Sequence, residues 1–150
     1  MSMTSARRRS VGAPSAGLVI MGLIALALSG CATIDRDDLS SYVEQVHSAA
    51  AEGALVAAQA ERHATPTIFV WLESAELRHN VETVAAKLAG EVPAPEVRPE
   101  VAQAQLLVDS VAGAFHLLHR LPYDPQAAHR ARAKLVSETQ VAERLTQALQ

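Results

Sequence analysis

The sequence of 150 residues contains one cysteine, no methionine after Met21 and no glycine-rich phosphate-binding loop. A single cysteine cannot form a disulfide within the chain, and it excludes haem attachment through Cys-x-x-Cys-His. The missing glycine-rich loop removes support for a Rossmann or P-loop nucleotide site. Ser110 and Ser137 lack the Gly-x-Ser-x-Gly turn of a serine hydrolase. These absences predict a protein that is not an enzyme and has no cofactor.

The first 31 residues have the layout of an export signal. Arginines fill positions 7–9, and positions 17–28 form an apolar segment. This segment is shorter than the roughly 20 apolar residues that a membrane-spanning helix needs. A basic start, an apolar centre and small residues before a cleavage point are typical of a secretory signal peptide.

The run Leu-Ser-Gly-Cys at positions 28–31 is similar to the lipobox of bacterial lipoprotein signal peptides. The resemblance implies removal of residues 1–30 and acylation of Cys31, which begins a lipidated tether at 31–36. Two or more acyl chains, at about 0.8 kcal/mol for each buried methylene, would hold the protein at the outer side of a membrane. Ala32, in place of an aspartate, is compatible with delivery to an outer membrane. A plain signal peptide and an uncleaved anchor remain alternatives.

Positions 37–150 are predicted to form one small domain, since about 120 residues are enough for a single core. Removal of the three arginines makes the exported part more acidic than the whole chain, whose formal net charge is −3. This charge argues against nucleic acid, which needs clustered lysine and arginine. The exported part also lacks thioether ligands, so soft metals such as Cu(I) are disfavoured.

Apolar residues recur at steps of three and four through most of this domain, which is the spacing of helical stripes. They predict four helices at about 37–63, 66–89, 99–120 and 125–148, with an extended proline-rich linker at 91–99. Similar helix lengths and short connections predict an all-α fold, a small antiparallel bundle. One long helix with a proline kink is the alternative for the first two.

The stripes identify the side chains that should meet in the core. They are Leu39, Tyr42, Val46, Ala49, Gly53, Val56 and Ala60 on the first helix; Val70, Ser74, Leu77, Val81, Val84 and Leu88 on the second; Val101, Ala104, Val108, Val111, Phe115 and Leu118 on the third; and Ala128, Ala131, Leu135, Ala142, Leu145 and Leu149 on the fourth. Glu138 interrupts the apolar register of the fourth helix. Ile68 and Trp71 are predicted to widen the apolar side of the second helix. Trp71, with Phe69, is expected to pack where the first two helices meet.

Three helix ends carry recognisable signals. Thr65 followed by Pro66 predicts an N-cap and a first helical residue. Gly90 is placed to cap the C-terminus of the same helix. Asp124 followed by Pro125 predicts the start of the fourth helix in the same way.

The motif Glu-x-x-His occurs twice in the first half of the domain. Its members are Glu44, His47, Glu76 and His79. Two such copies are used by di-metal sites in helical bundles, together with a carboxylate from each of two further helices, for which Asp109 and Glu138 are available. At about 100° per residue, however, both copies point away from their apolar stripes. They are predicted to face solvent.

His116 and His119 form a second candidate, because residues three apart on a helix point to one side. Asp109, two helical turns earlier, lies on nearly the same line. Two imidazoles and a carboxylate are a partial ligand set for zinc. The competing interpretation is that these histidines flank the apolar stripe near a helix C-terminus, where positive charge suits the helix dipole. A small metal- or ligand-binding module is therefore the alternative function.

The first hypothesis is a non-enzymatic interaction or accessory protein of the cell envelope. The membrane would be reached through lipid on Cys31, and the partner would be another envelope protein. Alanine-rich helices can offer a groove to the helix of such a partner.

Overall fold

The computed structural model describes residues 33–150, and the export signal with Cys31 lies outside the described residues. The described chain forms the helices α1 Arg36–Glu61, α2 Thr67–Gly90, α3 Arg98–Arg120 and α4 Pro125–Leu149. It also contains the short strands β1 Thr33–Ile34 and β2 Val92–Pro93 and a 3-10 turn at Pro95–Val97. The predicted all-α helical bundle is confirmed.

α1 begins at a capped end. The side chain of Asp35 accepts a hydrogen bond of 2.9 Å from the backbone N–H of Asp38. Asp37 and Asp38 lie in the first turn, where carboxylates stabilise the positive end of the helix dipole.

α1 ends in a Schellman motif. The N–H of Ala64 donates to the carbonyl of Gln59 at 2.9 Å, and the N–H of His63 donates to the carbonyl of Ala60 at 3.1 Å. This bond pair requires a left-handed residue after the helix, and His63 has a φ of 52°. The chain therefore leaves the helix before Pro66. The alternative of one long kinked helix is wrong.

α2 begins one residue later than the sequence predicts. Pro66 is the N-cap with extended backbone, and its carbonyl accepts from the N–H groups of Phe69 and Val70. The prediction of Thr65 as the N-cap is wrong, because Pro66 itself adopts the extended conformation that an N-cap needs. At the other end of α2, the prediction of a Gly90 cap is also wrong. Gly90 is still helical, and the chain continues directly into an extended segment.

That extended segment pairs with the first described residues. Thr33 lies beside Val92 and Ile34 beside Pro93 in a parallel pair, and the N–H of Ala94 donates to the carbonyl of Ile34 at 3.0 Å. Ile34 is fully buried. The pair joins the start of the domain to the α2–α3 connection. Two residues are too few to show a strand pattern in the sequence.

α4 begins as predicted. Asp124 caps it, and its carboxylate accepts from the N–H groups of Gln126 at 2.8 Å and Ala127 at 3.3 Å. Pro125 is the first helical residue, where its missing N–H has no cost.

The helices pack antiparallel, with α1 beside α2 and α4, and α3 beside the same two helices across the core. At the end that contains Thr33, the Arg36 side chain donates to the carbonyl of Leu149 at 3.4 Å. At the opposite end, Glu61 of α1 contacts His129 of α4. We call this opposite end the distal end. It carries the end of α1, the start of α2, the end of α3 and the start of α4.

The predicted stripes are confirmed, since every residue assigned to them is buried. Gly53 allows the ring of Phe115 to cross the core against α1. One described segment, Pro95–Arg120, has the length and composition to cross a membrane, with a mean hydropathy of 1.3 over its most apolar part. Most of its large apolar side chains, including Val111 and Leu118, pack in the bundle core. A core helix has the same composition as a spanning one.

Candidate interaction surface

The two Glu-x-x-His motifs do not build a di-metal site. Glu44, Glu76 and His79 are exposed as predicted. His47 is only half-exposed, because it lies on the side of α1 that faces α4, with Nε2 3.6 Å from a carboxylate oxygen of Glu143. Among residues 33–150, no three His, Cys, Asp or Glu side chains come together as metal ligands.

Asp109, His116 and His119 also fail to meet around one point. Nδ1 of His116 lies 3.4 Å from a guanidinium nitrogen of Arg78, and this positive charge opposes a bound cation. Nδ1 of His119 lies 3.1 Å from the backbone carbonyl of Trp71. Asp109 is exposed, and it lines a shallow groove together with Ala85 and Ala89. The arrangement of these three side chains therefore does not favour the metal-binding alternative.

The carboxylate of Glu138 interacts with other side chains of the bundle. It is 7% exposed, and it accepts a hydrogen bond of 2.8 Å from the Ser110 hydroxyl. The Lys134 ammonium lies 2.8 Å from the same carboxylate oxygen. A buried carboxylate needs such partners, because an unpaired buried charge is strongly unfavourable. Glu138 is therefore satisfied within the α3–α4 interface.

Two further ionisable clusters join neighbouring helices. Glu61 accepts from Nδ1 of His129 and from Arg132, each at 3.0 Å, and these hydrogen bonds hold the pKa of Glu61 below its ordinary value of 4.5. The Tyr42 hydroxyl donates to Glu91 at 3.3 Å, and burial, followed by the Glu91 charge, raises the pKa of Tyr42 above 10.0. Both clusters fix helix ends, and Glu61 and His129 also line an open surface pocket of about 390 Å³.

A groove of about 540 Å³ runs between α1 and α2. Its walls carry polar side chains such as Gln45, Ser48 and Asn80, and its floor includes Val46 and Val81. The two floor side chains are already almost completely buried. A ligand in this groove would therefore gain little apolar contact.

The largest departure from the sequence prediction lies at the start of α2. Trp71 is 42% exposed, and its indole stacks on the His119 imidazole of α3 with ring centroids 5.0 Å apart. Phe69 is also exposed. The predictions that both pack in the core and that Ile68 widens the buried side are wrong. The buried face of α2 is the narrow stripe through Val70 and Ser74, and the neighbouring positions point outward.

Four large apolar side chains thus share the first turns of α2 at the distal end. We call this surface the α2 patch; its members are Ile68, Phe69, Trp71 and Leu72, with exposures from 40 to 61%. Side chains of this size and exposure present about 400 Å² of apolar surface. A patch of this size is comparable to the largest apolar patch on a typical monomer, and such patches are often functional. Tyr123 in the α3–α4 connection is exposed at the same end.

The sequence does indicate this surface, although a search for apolar residues at steps of three and four does not detect it. Positions 67–72 read Thr-Ile-Phe-Val-Trp-Leu, so almost every direction around the first turns of α2 is apolar. A helix that packs on one side needs only one apolar stripe. The excess over that stripe is the exposed α2 patch.

Comparison of the chain with family models, curated proteins and solved structures gave no match.

Proposed function

We propose that this chain is a lipid-anchored, extracytoplasmic protein of the cell envelope that works by association with a protein partner and not by catalysis. The anchor rests on the lipobox resemblance at positions 28–31 and the lone Cys31. The association rests on the α2 patch at the distal end of the bundle.

The main support for this proposal is the α2 patch, because its large apolar side chains remain exposed to water in the isolated domain. Each Å² of apolar surface removed from water contributes about 25 cal/mol. Burial of the roughly 400 Å² of the α2 patch by a partner would therefore contribute substantially to the free energy of binding. Aromatic side chains, tryptophan above all, supply much of the binding energy where proteins associate. Glu138, the other departure from the helical pattern, is satisfied inside the chain and needs no partner.

The lipid anchor is tested in cells that express the full chain. Acylation of the Cys31 thiol should place the protein in the membrane fraction and incorporate labelled palmitate. Cys31→Ser should abolish both, while Ser29→Ala, which retains a small residue before the cysteine, should preserve both. Membrane association of the Cys31→Ser variant without label would overturn the lipoprotein proposal.

The association surface is tested by a photo-crosslinking side chain introduced at Leu72 in the full chain. Leu106 provides a matched control, because it is also an exposed leucine, at 71%, but lies in the half of α3 nearer Thr33. We expect a defined protein adduct from position 72 and none from position 106, and we expect Ile68→Glu to remove the adduct. Equal labelling at the two positions would contradict a specific surface at the start of α2.

A further inference from the structure

We infer that the lipid on Cys31 seats the bundle directly on the headgroup layer of a phospholipid bilayer, with the end that contains Thr33 against the membrane. We call this end the proximal end. It carries the start of α1, the end of α2, the start of α3 and the end of α4. The inference rests on the proposed function, since it takes Cys31 to be acylated. It goes further, because an acyl anchor alone does not decide which surface of a protein faces the bilayer.

The chain between the anchor and the folded domain is very short. Thr33 follows Cys31 by two residues and is already paired with Val92. An extended backbone spans at most about 3.6 Å for each residue, so the Cα atoms of Cys31 and Thr33 lie within about 7 Å of each other. Acyl chains on Cys31 would enter the bilayer and hold the backbone of this residue at the bilayer surface. Thr33 is therefore kept close to the headgroups.

The residues after Thr33 cannot lengthen this link without loss of core contacts. Ile34 is fully buried, and its carbonyl accepts a hydrogen bond of 3.0 Å from the N–H of Ala94. Release of β1 would expose the Ile34 side chain to water and break this bond, which is unfavourable. β1 lies between the start of α1 and the α2–α3 connection. The link thus leaves the bundle from its end and not from a side.

The surface of the proximal end suits contact with headgroups and not insertion among acyl chains. Val92 is 50% exposed beside the link. The same end carries exposed side chains of both charge signs, which are Asp35, Arg36, Asp37, Asp38, Glu96 and Arg98. Carboxylates can pair with the ammonium group of a zwitterionic headgroup, and guanidinium groups can pair with its phosphate. Transfer of these charges into hydrocarbon would be strongly unfavourable.

This seating places the distal end far from the bilayer. α1 has 26 residues and extends about 39 Å at 1.5 Å for each residue. The α2 patch therefore faces the aqueous compartment, with the length of the bundle between it and the headgroups.

The test uses the full chain, produced in cells and purified in acylated form, with the acylation checked by intact mass. The protein is reconstituted in phosphatidylcholine vesicles. Cys31 is the single cysteine of the chain and its sulfur is acylated, so a cysteine introduced elsewhere is the one free thiol. Bimane attached to this thiol is quenched by a nitroxide nearby, which is placed either on the lipid headgroup or deep in the acyl chain.

Val92→Cys reports the proximal end, and Val136→Cys is its matched control, because Val136 is also an exposed valine, at 46%, but lies in the middle of α4. Leu55→Cys, Leu72→Cys and Gly113→Cys report the exposed sides of the other three helices. All four control positions are about 20 Å or more from the proximal end along their helices. Headgroup nitroxide should quench position 92 strongly and the controls little. Equal quenching at any control would mean that the bundle lies on its side, and stronger quenching by the deep nitroxide would mean insertion; either result would overturn the inference.

A longer link tests the cause of the seating. Twelve Gly and Ser residues inserted between Ala32 and Thr33 add a mean span of about 19 Å, so most of the quenching at position 92 should be lost while the protein stays on the vesicles. The same insertion between Ala64 and Thr65, at the distal end, should leave the quenching unchanged. Circular dichroism checks that each variant is folded. Full quenching with the longer link at Thr33 would contradict a seating imposed by the short chain.

Two outcomes separate this inference from the proposed function. An acylated protein that binds the vesicles without quenching at position 92 would overturn the seating but keep the anchor. A chain recovered with a free Cys31 thiol and without vesicle binding would overturn the anchor, and the seating with it.

Discussion

Gly53 is the position at which a single added carbon should disturb the core most. It lies in the middle of α1, opposite the fully buried side chains of Phe115 and Leu135. A Cβ at position 53 would lie 2.7 Å from Cζ of Phe115, still closer to Cε1 of the same ring, and 3.2 Å from Cδ1 of Leu135. Carbon atoms in contact are about 3.5–4.0 Å apart. Gly53→Ala must therefore displace a buried aromatic ring.

Two effects of this substitution oppose each other. Alanine forms helix better than glycine by about 1 kcal/mol, which favours the variant. Overpacking a core costs about 1–3 kcal/mol, and displacement of a ring with no solvent-facing edge lies near the top of that range. We expect a net loss of about 2 kcal/mol in the free energy of unfolding, which corresponds to a fall of about 8 °C in Tm for a domain of this size.

Gly113 provides the matched control, because it lies in the middle of α3 on the exposed face and an added Cβ there meets nothing within 4 Å. Gly113→Ala should gain about 1 kcal/mol from helix propensity alone. Urea and thermal unfolding followed by circular dichroism measure both variants. Equal or greater stability of Gly53→Ala, together with the expected gain for Gly113→Ala, would refute the close contact between α1 and the Phe115 ring.

Three further substitutions test the helix ends and the ionic clusters. His63→Gly should raise stability by about 0.5 kcal/mol, because glycine adopts the left-handed backbone without strain, and His63→Ala should give no such gain in the same unfolding assay. Hydrogen bonds from His129 and Arg132 lower the pKa of Glu61, so this carboxylate stabilises the fold above pH 4.5 and loses its effect as the pH falls below that value. Glu61→Gln should flatten the acid side of a plot of Tm against pH, and an unchanged acid side would contradict this cause. Burial raises the pKa of Tyr42, so its contribution is complete below pH 10.0 and declines as the pH rises toward the folded pKa. Tyr42→Phe should reduce the alkaline loss of stability in urea titrations, and an equal loss in both proteins would argue against a buried phenol.

The sequence predicted the core of the bundle well for a physical reason. The apolar spacing of three and four residues repeats along each helix, so the buried face is encoded many times over. Even Ser74 and Gly53, which are not large apolar residues, are buried where the spacing placed them. Such a stripe can be recognised from the sequence of a single helix, without knowledge of the helices that pack against it.

The helix ends were less predictable because several residues can serve at each of them. At Thr65 and Pro66, both residues fit a helix start, and only backbone conformation decides which one is the N-cap. His63 ends α1 with a positive φ, a conformation uncommon for residues other than glycine, so composition gave no indication of it. Asp124 with Pro125 was predicted correctly, because the carboxylate and the proline each favour the same position.

The candidate ligands could not be placed from the sequence, because their neighbours come from other helices. Spacing put His116 and His119 on one side of α3, but it could not show that Arg78 and Trp71 of α2 lie against them. The partner of Glu138 was hidden for the same reason. Ser110 is 28 positions away in the chain, and only the packing of α3 on α4 brings the two side chains together.

A buried carboxylate and a cluster of exposed apolar side chains both depart from the rule that apolar side chains lie inside and charged ones outside, and they differ in one respect that matters for function. The buried Glu138 is compensated within the chain by Ser110 and Lys134, so it is explained by folding alone. The exposed start of α2 has no such compensation, since most of Leu72 and Ile68 remains in water. Local features that conflict with the usual distribution of apolar and charged residues, and that do not stabilise the fold, tend to mark functional sites. The α2 patch, rather than any histidine or carboxylate of the bundle, is therefore where a partner should be sought.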